Sequence, residues 1–276
     1  MILVTGASGT VGSEVTRTLA AMGVRVRAAY HSRPERVGAG EAVRLDFADP
    51  QSLAAALRDV DTVFLLSGQV APETALVPAA DAAGVRRIVK LSVWGAAEER
   101  FRFAQWHRAV ERAVEASGLL WTFLRPNGFM QNLVTYNGAM IRAQGAFALP
   151  AGDARISHVD VRDIAAVAAA VLTQPGHDRK AYRLTGPRAL SYVEVAEILS
   201  TALGRKITYL PVSDQEYKQG ALAAGVPEAY ADALLDLNRF YREGGAEEVS
   251  EDVKLVTWKD PVPFEDFARD HVAQLR

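Results

Sequence analysis

The chain has 276 residues, 49% apolar and 23% charged, which suits a folded globular protein of one or two domains and excludes a disordered tail or a collagen-like fibre. Lys and Arg total 31 against 33 for Asp and Glu, a net charge of −2, so no basic excess draws a nucleic acid and none is expected as a partner. Cysteine is absent, which excludes disulfides, thiolate zinc clusters and cysteine nucleophiles, and no run approaches the ~18 apolar residues of a membrane span.

In chain order, residues Ile2–Val4, 24–29, 43–45, 62–66, 88–91 and 121–124 read as short strands. Between them apolar residues recur at helical spacing, as in Val11, Val15, Leu19 and Met22. Apolar strands separated by helices predict a parallel sheet covered on both faces. Right-handed crossovers make this a doubly wound α/β fold of the Rossmann type. After Pro126, Gly128, Gly138, Gly145 and Gly152 break the chain into short pieces. A helix is predicted over Val161–Thr173 with Asp160 as its cap. Further helices are predicted over Tyr192–Leu203, Asp214–Ala223 and 228–241, then after Pro263 with Phe264, Phe267 and Val272 on one face. The expected division is a Rossmann lobe of residues 1–127, to which 155–185 return, and a smaller, mostly helical substrate lobe of 128–154 and 186–276. No internal repeat is present. The N-terminus lacks a secretory signal, so the expectation is a cytoplasmic monomer or homodimer.

The opening Thr5-Gly6-Ala7-Ser8-Gly9-Thr10-Val11-Gly12 spaces glycines three residues apart, after a strand and at the head of a helix. A side chain at the turn would collide with a pyrophosphate, while the helix offers free N–H groups and the positive end of its dipole. Gly12 lets the helix pack closely on the strand. This context identifies a dinucleotide site at Gly6, Ser8, Gly9, Thr10, Val11 and Gly12. An NAD site usually carries an acid at the end of the second strand. Here that strand runs into His31, Ser32 and Arg33, with no acid before Glu35. A guanidinium suits a 2′-phosphate, so NADP(H) is the expected cofactor. Asp46 and Phe47 are candidates for the adenine end, and Leu66, Ser67, Lys90 and Pro126 complete the expected cofactor contacts at the strand ends.

Several motifs together resemble the NmrA-like branch of the atypical short-chain dehydrogenase/reductases. They are the glycine loop, Lys90-Leu91-Ser92, the run from Trp121 through Arg125-Pro126-Asn127-Gly128-Phe129 to Asn132, His158-Val159-Asp160, Leu184-Thr185-Gly186-Pro187 and Phe264-Glu265-Asp266-Phe267. The resemblance covers nearly the whole chain. It implies an NADP(H)-binding Rossmann lobe with a small substrate lobe, and an activity among quinone and dye reductases, ketoreductases or redox-sensing regulators.

The Tyr-x-x-x-Lys pair of most short-chain dehydrogenases is absent from this sequence. His107 and Glu111 fall in the corresponding slots, four residues apart on one helix face. Beside Glu111, His107 is expected to gain imidazolium character and to donate a proton. The alternative is an exposed ion pair. Ser92 is a candidate to steady a substrate carbonyl, or else a turn former. Asn127 and Gln131 are expected to hydrogen-bond the substrate, and Phe129 and Met130 to give it a flat apolar wall. Trp94 and Trp106, with Phe101, are expected to close the opposite side. His158 and Asp160 read as packing and capping residues, and no metal is expected. The function this reading supports is NADPH-dependent hydride transfer to a quinone or an aromatic or polyketide-type ketone. The alternative is a non-catalytic NADP(H)-sensing protein that binds a protein partner. Sugar-nucleotide epimerisation is disfavoured, because it relies on the missing tyrosine.

Overall fold

The structure, a computed structural model, describes residues 1–34 and 37–276; Glu35 lies outside them. The first half contains β1 (Ile2–Val4), α1 (Thr10–Ala21), β2 (Val26–Tyr30), β3 (Glu41–Arg44), α2 (Pro50–Leu57), β4 (Thr62–Leu65), α3 (Leu76–Ala82), β5 (Arg87–Leu91), α4 (Arg102–Ala116) and β6 (Leu120–Pro126). Then come α5 (Gly138–Gln144), β7 (Ala146–Leu149), β8 (Arg155–Ile156), α6 (Val161–Thr173), β9 (Lys180–Leu184), β10 (Leu190–Ser191), α7 (Tyr192–Leu203) and β11 (Thr208–Pro211). The chain ends in α8 (Asp214–Ala223), α9 (Glu228–Arg242), α10 (Asp252–Thr257), α11 (Phe264–Asp270) and α12 (Val272–Leu275).

Seven strands form one sheet in the order β3-β2-β1-β4-β5-β6-β9, and every neighbouring pair is parallel. The expected doubly wound Rossmann-type fold is therefore present. Parallel strands need both faces covered. Val11, Val15 and Leu19 of α1 and the apolar face of α6 close one face. Leu53 and Leu57 of α2, Leu76 and Val77 of α3 and Val110 and Val114 of α4 close the other. A separate apolar cluster lies beyond β6, where Phe147, Tyr192, Leu199, Phe240 and Phe267 meet Met130 and Trp94. This part is not wholly helical, since β7 pairs with β11 and β8 with β10.

Local signals explain several boundaries. Asp160 accepts the Arg162 N–H and starts α6 as expected. Ser191 with Glu194, and Ser213 with Glu216, close reciprocal capping boxes on α7 and α8, satisfying N–H groups that the helix cannot. The seventh strand, β9, escaped prediction. It is an edge strand with Lys180 and Ala181 exposed and only Leu184 buried, so it lacks the apolar run that marks the interior strands. α10 was also unexpected; it buries Val253 and Val256 against α6 but leaves Leu255 and Trp258 exposed. Among the described residues, no helix is long and apolar enough to cross a membrane.

Candidate active site

In an open parallel sheet, ligands bind at the carboxyl ends of the strands where the order reverses. Here that point lies between β1 and β4. Buried Thr5 bridges the two strand ends: its hydroxyl donates to the Leu66 carbonyl at 2.6 Å and accepts the Leu66 N–H at 2.8 Å. Gly6 then turns with φ +58°, a left-handed conformation that glycine adopts without penalty. A Cβ on Gly12 would lie 2.2 Å from the Gly6 carbonyl oxygen, so only glycine lets α1 start this close to β1. Gly9 caps α1 without any side chain, and the first turn has no acid. Gly9 and Thr10 are exposed, Ser8 is half-buried, and the Val11 side chain points into the core. The exposed helix start offers backbone N–H groups to an anion. This cradle, which side chains would fill, fits a dinucleotide pyrophosphate.

Beyond β2, His31, Ser32 and Arg33 are all exposed. His31 Nε2 lies 3.9 Å from one oxygen of Asp46, while the other accepts the Ala48 N–H at 3.0 Å and shapes the turn. Phe47 packs against the lower core. The strand ends behave differently from the expectation. Leu66 packs beneath Gly6, and the Ser67 hydroxyl sits between the Gln69 carbonyl and Glu73 Oε1. Pro126 is buried, and its carbonyl accepts the Trp94 N–H at 2.8 Å. Lys90 is fully buried, with Nζ 2.7 Å from Glu73 Oε2 and donating to the Leu91 carbonyl. The expected cofactor contact from Lys90 is thus corrected: a buried ammonium must be paired, and Glu73, absent from the sequence reading, pairs it.

The α4 residues also part from expectation. Glu111 is fully buried and holds Arg125 through two hydrogen bonds of 2.9 and 2.7 Å, with Arg108 at 3.0 Å. Burial opposes its charge, but Arg125, the nearby Ser92 hydroxyl and Arg108 outweigh burial and hold the carboxyl below its usual range. Its lone pairs are therefore spent on guanidinium groups, not on His107. Burial, and then the charge of Lys90, push His107 well below its ordinary value. The expected imidazolium is replaced by a neutral imidazole. Neither an exposed ion pair nor the expected His–Glu couple exists.

Two polar atoms at this edge stand out. Ser92 Oγ approaches Glu111 without hydrogen-bond geometry, and both it and His107 Nδ1 are buried with no hydrogen-bond partner among the described residues. Buried polar groups are normally satisfied, so such exceptions concentrate where a ligand completes them.

The loop after β6 was expected to supply substrate hydrogen bonds. Instead the Asn127 amide donates to Ser157 Oγ at 2.9 Å and the Ala246 carbonyl at 3.0 Å. Gln131 donates to Asp160 at 3.0 Å and accepts the Val161 N–H at 3.1 Å. Both amides are occupied in joining segments of the protein. Trp94 is likewise interior, donating to the Gly245 carbonyl at 2.8 Å beneath Arg183. Phe129 is half-buried on the upper core and Met130 is buried in the cluster beyond β6. Phe101 packs against Phe240 with ring centroids 4.6 Å apart and the planes tilted by 34°.

Trp106 belongs to an aromatic group that sequence reasoning missed. Phe103 meets Trp106 edge-on at 5.2 Å and Tyr230 at 5.2 Å. Burial raises the Tyr217 and Tyr230 hydroxyls, with Tyr136 close enough to add to both shifts. Tyr136 lies on a π-helical turn, Leu133–Asn137, and is 75% exposed. These rings come from α4, the turn before α5, α8 and α9. No linear spacing joins them, so only the fold reveals the group. Phe103 and Trp106 stand four residues and one residue before His107, near the end of α4 that faces the carboxyl edge of the sheet.

Comparison with known proteins adds three relatives. A model of the NmrA-like family matches residues 1–268. An NAD(P)H azoreductase of Xenophilus azovorans is 39% identical over 282 residues, covering 99% of this chain and 98% of the relative. A (4-alkanoyl-5-oxo-2,5-dihydrofuran-3-yl)methyl phosphate reductase of Streptomyces griseus is 39% identical, covering 98% of each. The crystal structure of an NADPH-dependent quinone oxidoreductase of Escherichia coli complexed with NADPH superposes with a TM-score of 0.86 at 27% identity, covering 98% of this chain and 99% of that one.

Proposed function

The chain belongs to the NmrA-like family, and from that premise we propose that it is an NADPH-dependent reductase of flat, conjugated acceptors, with quinones and aromatic ketones as the favoured class. The observation that carries the chemistry is that Ser92 Oγ after β5 and His107 Nδ1 on α4 are buried with no hydrogen-bond partner among the described residues. Full-length relatives named as reductases support catalysis over a non-catalytic sensor.

Backbone N–H groups of Thr10, Val11 and Gly12 at the start of α1 would hold the pyrophosphate, while the Gly9 N–H closes the turn on the Gly6 carbonyl at 2.9 Å. Arg33 with His31 and Ser32 would face the 2′-phosphate. When bound, the dihydronicotinamide supplies the hydride. Ser92 and neutral His107 then hydrogen-bond the acceptor's oxygen as it gains charge. The buried Lys90–Glu73 pair behind them keeps a cation close to that edge. Phe103, Trp106 and Tyr230 offer edges and faces to a planar ring. A quinone suits a site without imidazolium, because its hydroquinone anion takes its proton from water.

The test is steady-state NADPH oxidation, followed by absorbance, against a panel of quinones, aryl ketones and azo dyes. Quinone-dependent oxidation well above background is expected. Oxidation at background across the panel overturns the reading.

A further inference from the structure

A cavity lies beside the loop after β6. It measures about 290 Å³ and is lined by Met130, Leu190 and Phe264, with Pro187 and Pro263 beside them and His158 as its buried polar wall. None of these residues comes from the glycine loop, the end of β5 or α4. We propose that this cavity binds a small neutral phenol, its ring against Met130 and Phe264 and its hydroxyl hydrogen-bonded to His158.

Four observations support that chemistry. First, Met130, Leu190, Phe264 and two prolines make most of the wall, His158 is its one buried polar residue and Arg188 with Glu265 forms its rim. The volume sits at the small end of ligand pockets, matching a single ring with one polar group. Second, His158 is 5% exposed, and its Nδ1 has no hydrogen-bond partner among the described residues. Its Nε2 lies 3.4 Å from the Tyr192 hydroxyl, at the long limit of a hydrogen bond. Third, burial pushes this imidazole down to about 4, although the Ile156 backbone opposes the shift, so near neutral pH it presents one N–H and one lone pair and carries no charge. Fourth, Arg188 and Glu265, both substantially exposed, pair with each other at the open side, leaving no net charge to recruit an anion. A hydroxyl both donates and accepts, so it satisfies either tautomer of His158. Sulfur and aromatic walls favour an aromatic ring over an aliphatic chain of similar size.

Met130 ties the cavity to the loop after β6. Its N–H donates to the Val159 carbonyl at 3.0 Å, and its neighbours Phe129 and Gln131 anchor the loop after β6. A ring held against Met130 therefore stiffens that loop.

The experiment titrates phenol, toluene and benzoate into the full chain saturated with NADPH, observing the His158 ring nitrogens and the Met130 methyl by NMR. Saturable shifts at both groups are expected with phenol. Toluene should bind about tenfold more weakly, the loss expected for one hydrogen bond to a buried group. His158→Leu should bring phenol and toluene to equal affinity. Leu190→Phe should fill the cavity and abolish both while coenzyme binding persists. Equal binding of phenol and toluene to the wild type overturns the proposal, as does tighter binding of benzoate. Phenol shifts that map to α4 and leave His158 unmoved also overturn it. Should Leu190→Phe fail to fold, the wild-type ratio and His158→Leu decide the matter. Neither outcome depends on whether quinones are reduced.

Discussion

The glycine loop and the α4 edge occupy the same rim of one sheet but are built in opposite ways. The loop works through backbone: its recognition groups are N–H donors, three of its positions are glycines, and Ala7 and Val11 turn inward. Seven consecutive positions, Gly6 to Gly12, hold its whole geometry. The α4 edge works through side chains, and those that are paired find partners on distant elements: Glu111 with Arg125, Lys90 with Glu73, Phe103 with Tyr230. A site made of backbone tolerates drift in its neighbours. A site made of paired side chains changes meaning when one partner changes.

Substitutions can break or sharpen this contrast, and the largest effect is expected in the loop. Gly12→Val should abolish NADPH binding, because its Cβ would sit 2.2 Å from the Gly6 carbonyl, a clash with backbone that cannot yield. Calorimetry will show this; retained affinity would mean that α1 can slide away from β1. Gly9→Val should be milder for the fold, since a Cβ there meets only the Gly6 oxygen at 3.3 Å, yet it should still lose the coenzyme by occupying the pyrophosphate's space.

Next in size is Glu111→Gln, which leaves Arg125 and Arg108 facing a neutral amide. Breaking one side of a buried pair costs about 3–5 kcal/mol, to be read from urea unfolding. The carboxyl's folded pKa is depressed, so its contribution is present above the unfolded value and is lost as pH falls through the lower folded one. The variant should therefore flatten the acid end of the stability profile. An unchanged profile would place Glu111 outside the ion-pair network.

His107→Phe should lower kcat/KM for an aryl ketone by about 10²–10³-fold, the usual contribution of one hydrogen-bond donor to an oxygen that gains charge, and affect a reactive quinone less. Because burial and Lys90 keep His107 neutral, no imidazole limb is expected in the rate profile between about pH 6 and 8. A limb that disappears in His107→Phe would reinstate the imidazolium. Arg33→Ala should weaken NADPH by about 10–100-fold, the range of a charge-assisted hydrogen bond, and leave NADH unchanged; equal losses for both coenzymes would remove the 2′-phosphate from Arg33's role.

The smallest effect is a balance. His158, depressed to about 4, makes stability fall as pH drops from its unfolded value of about 6.5, because the unfolded chain then binds more protons. Asp163, raised to about 6 mainly by burial, acts in the opposite direction between about 3.8 and 6, where the folded chain binds more. Asp163→Asn should therefore steepen the rise of Tm with pH across that window, and an unaltered slope would contradict the raised value.

Legibility follows the same division. Strands, helix caps and the glycine loop were readable because each depends on neighbours in sequence: Asp160 caps the helix that follows it, and Gly12 answers Gly6. β9 was missed because an edge strand has no apolar signature. Lys90 reads as a cofactor contact because Glu73, seventeen residues earlier, has no motif that marks it as a partner. Asn127 and Gln131 looked like substrate ligands because amides near a loop are free until the fold supplies Ala246 and Asp160. The rings around Trp106 were scattered over four elements, and nothing local announced that they meet.

The Asn127 and Trp94 hydrogen bonds also set an order of assembly. Asn127 reaches Ala246 across 119 residues and Trp94 reaches Gly245 across 151, whereas the glycine loop closes within one turn of chain. Loop-closure entropy delays distant contacts, and a nascent chain emerges N-terminus first. The nucleotide cradle therefore has its local contacts long before residues 245–246 exist to fasten the loop after β6. During synthesis the protein passes through a stage with a formed cradle and an unfastened substrate side, and a ribosome stalled before residue 245 would hold it there.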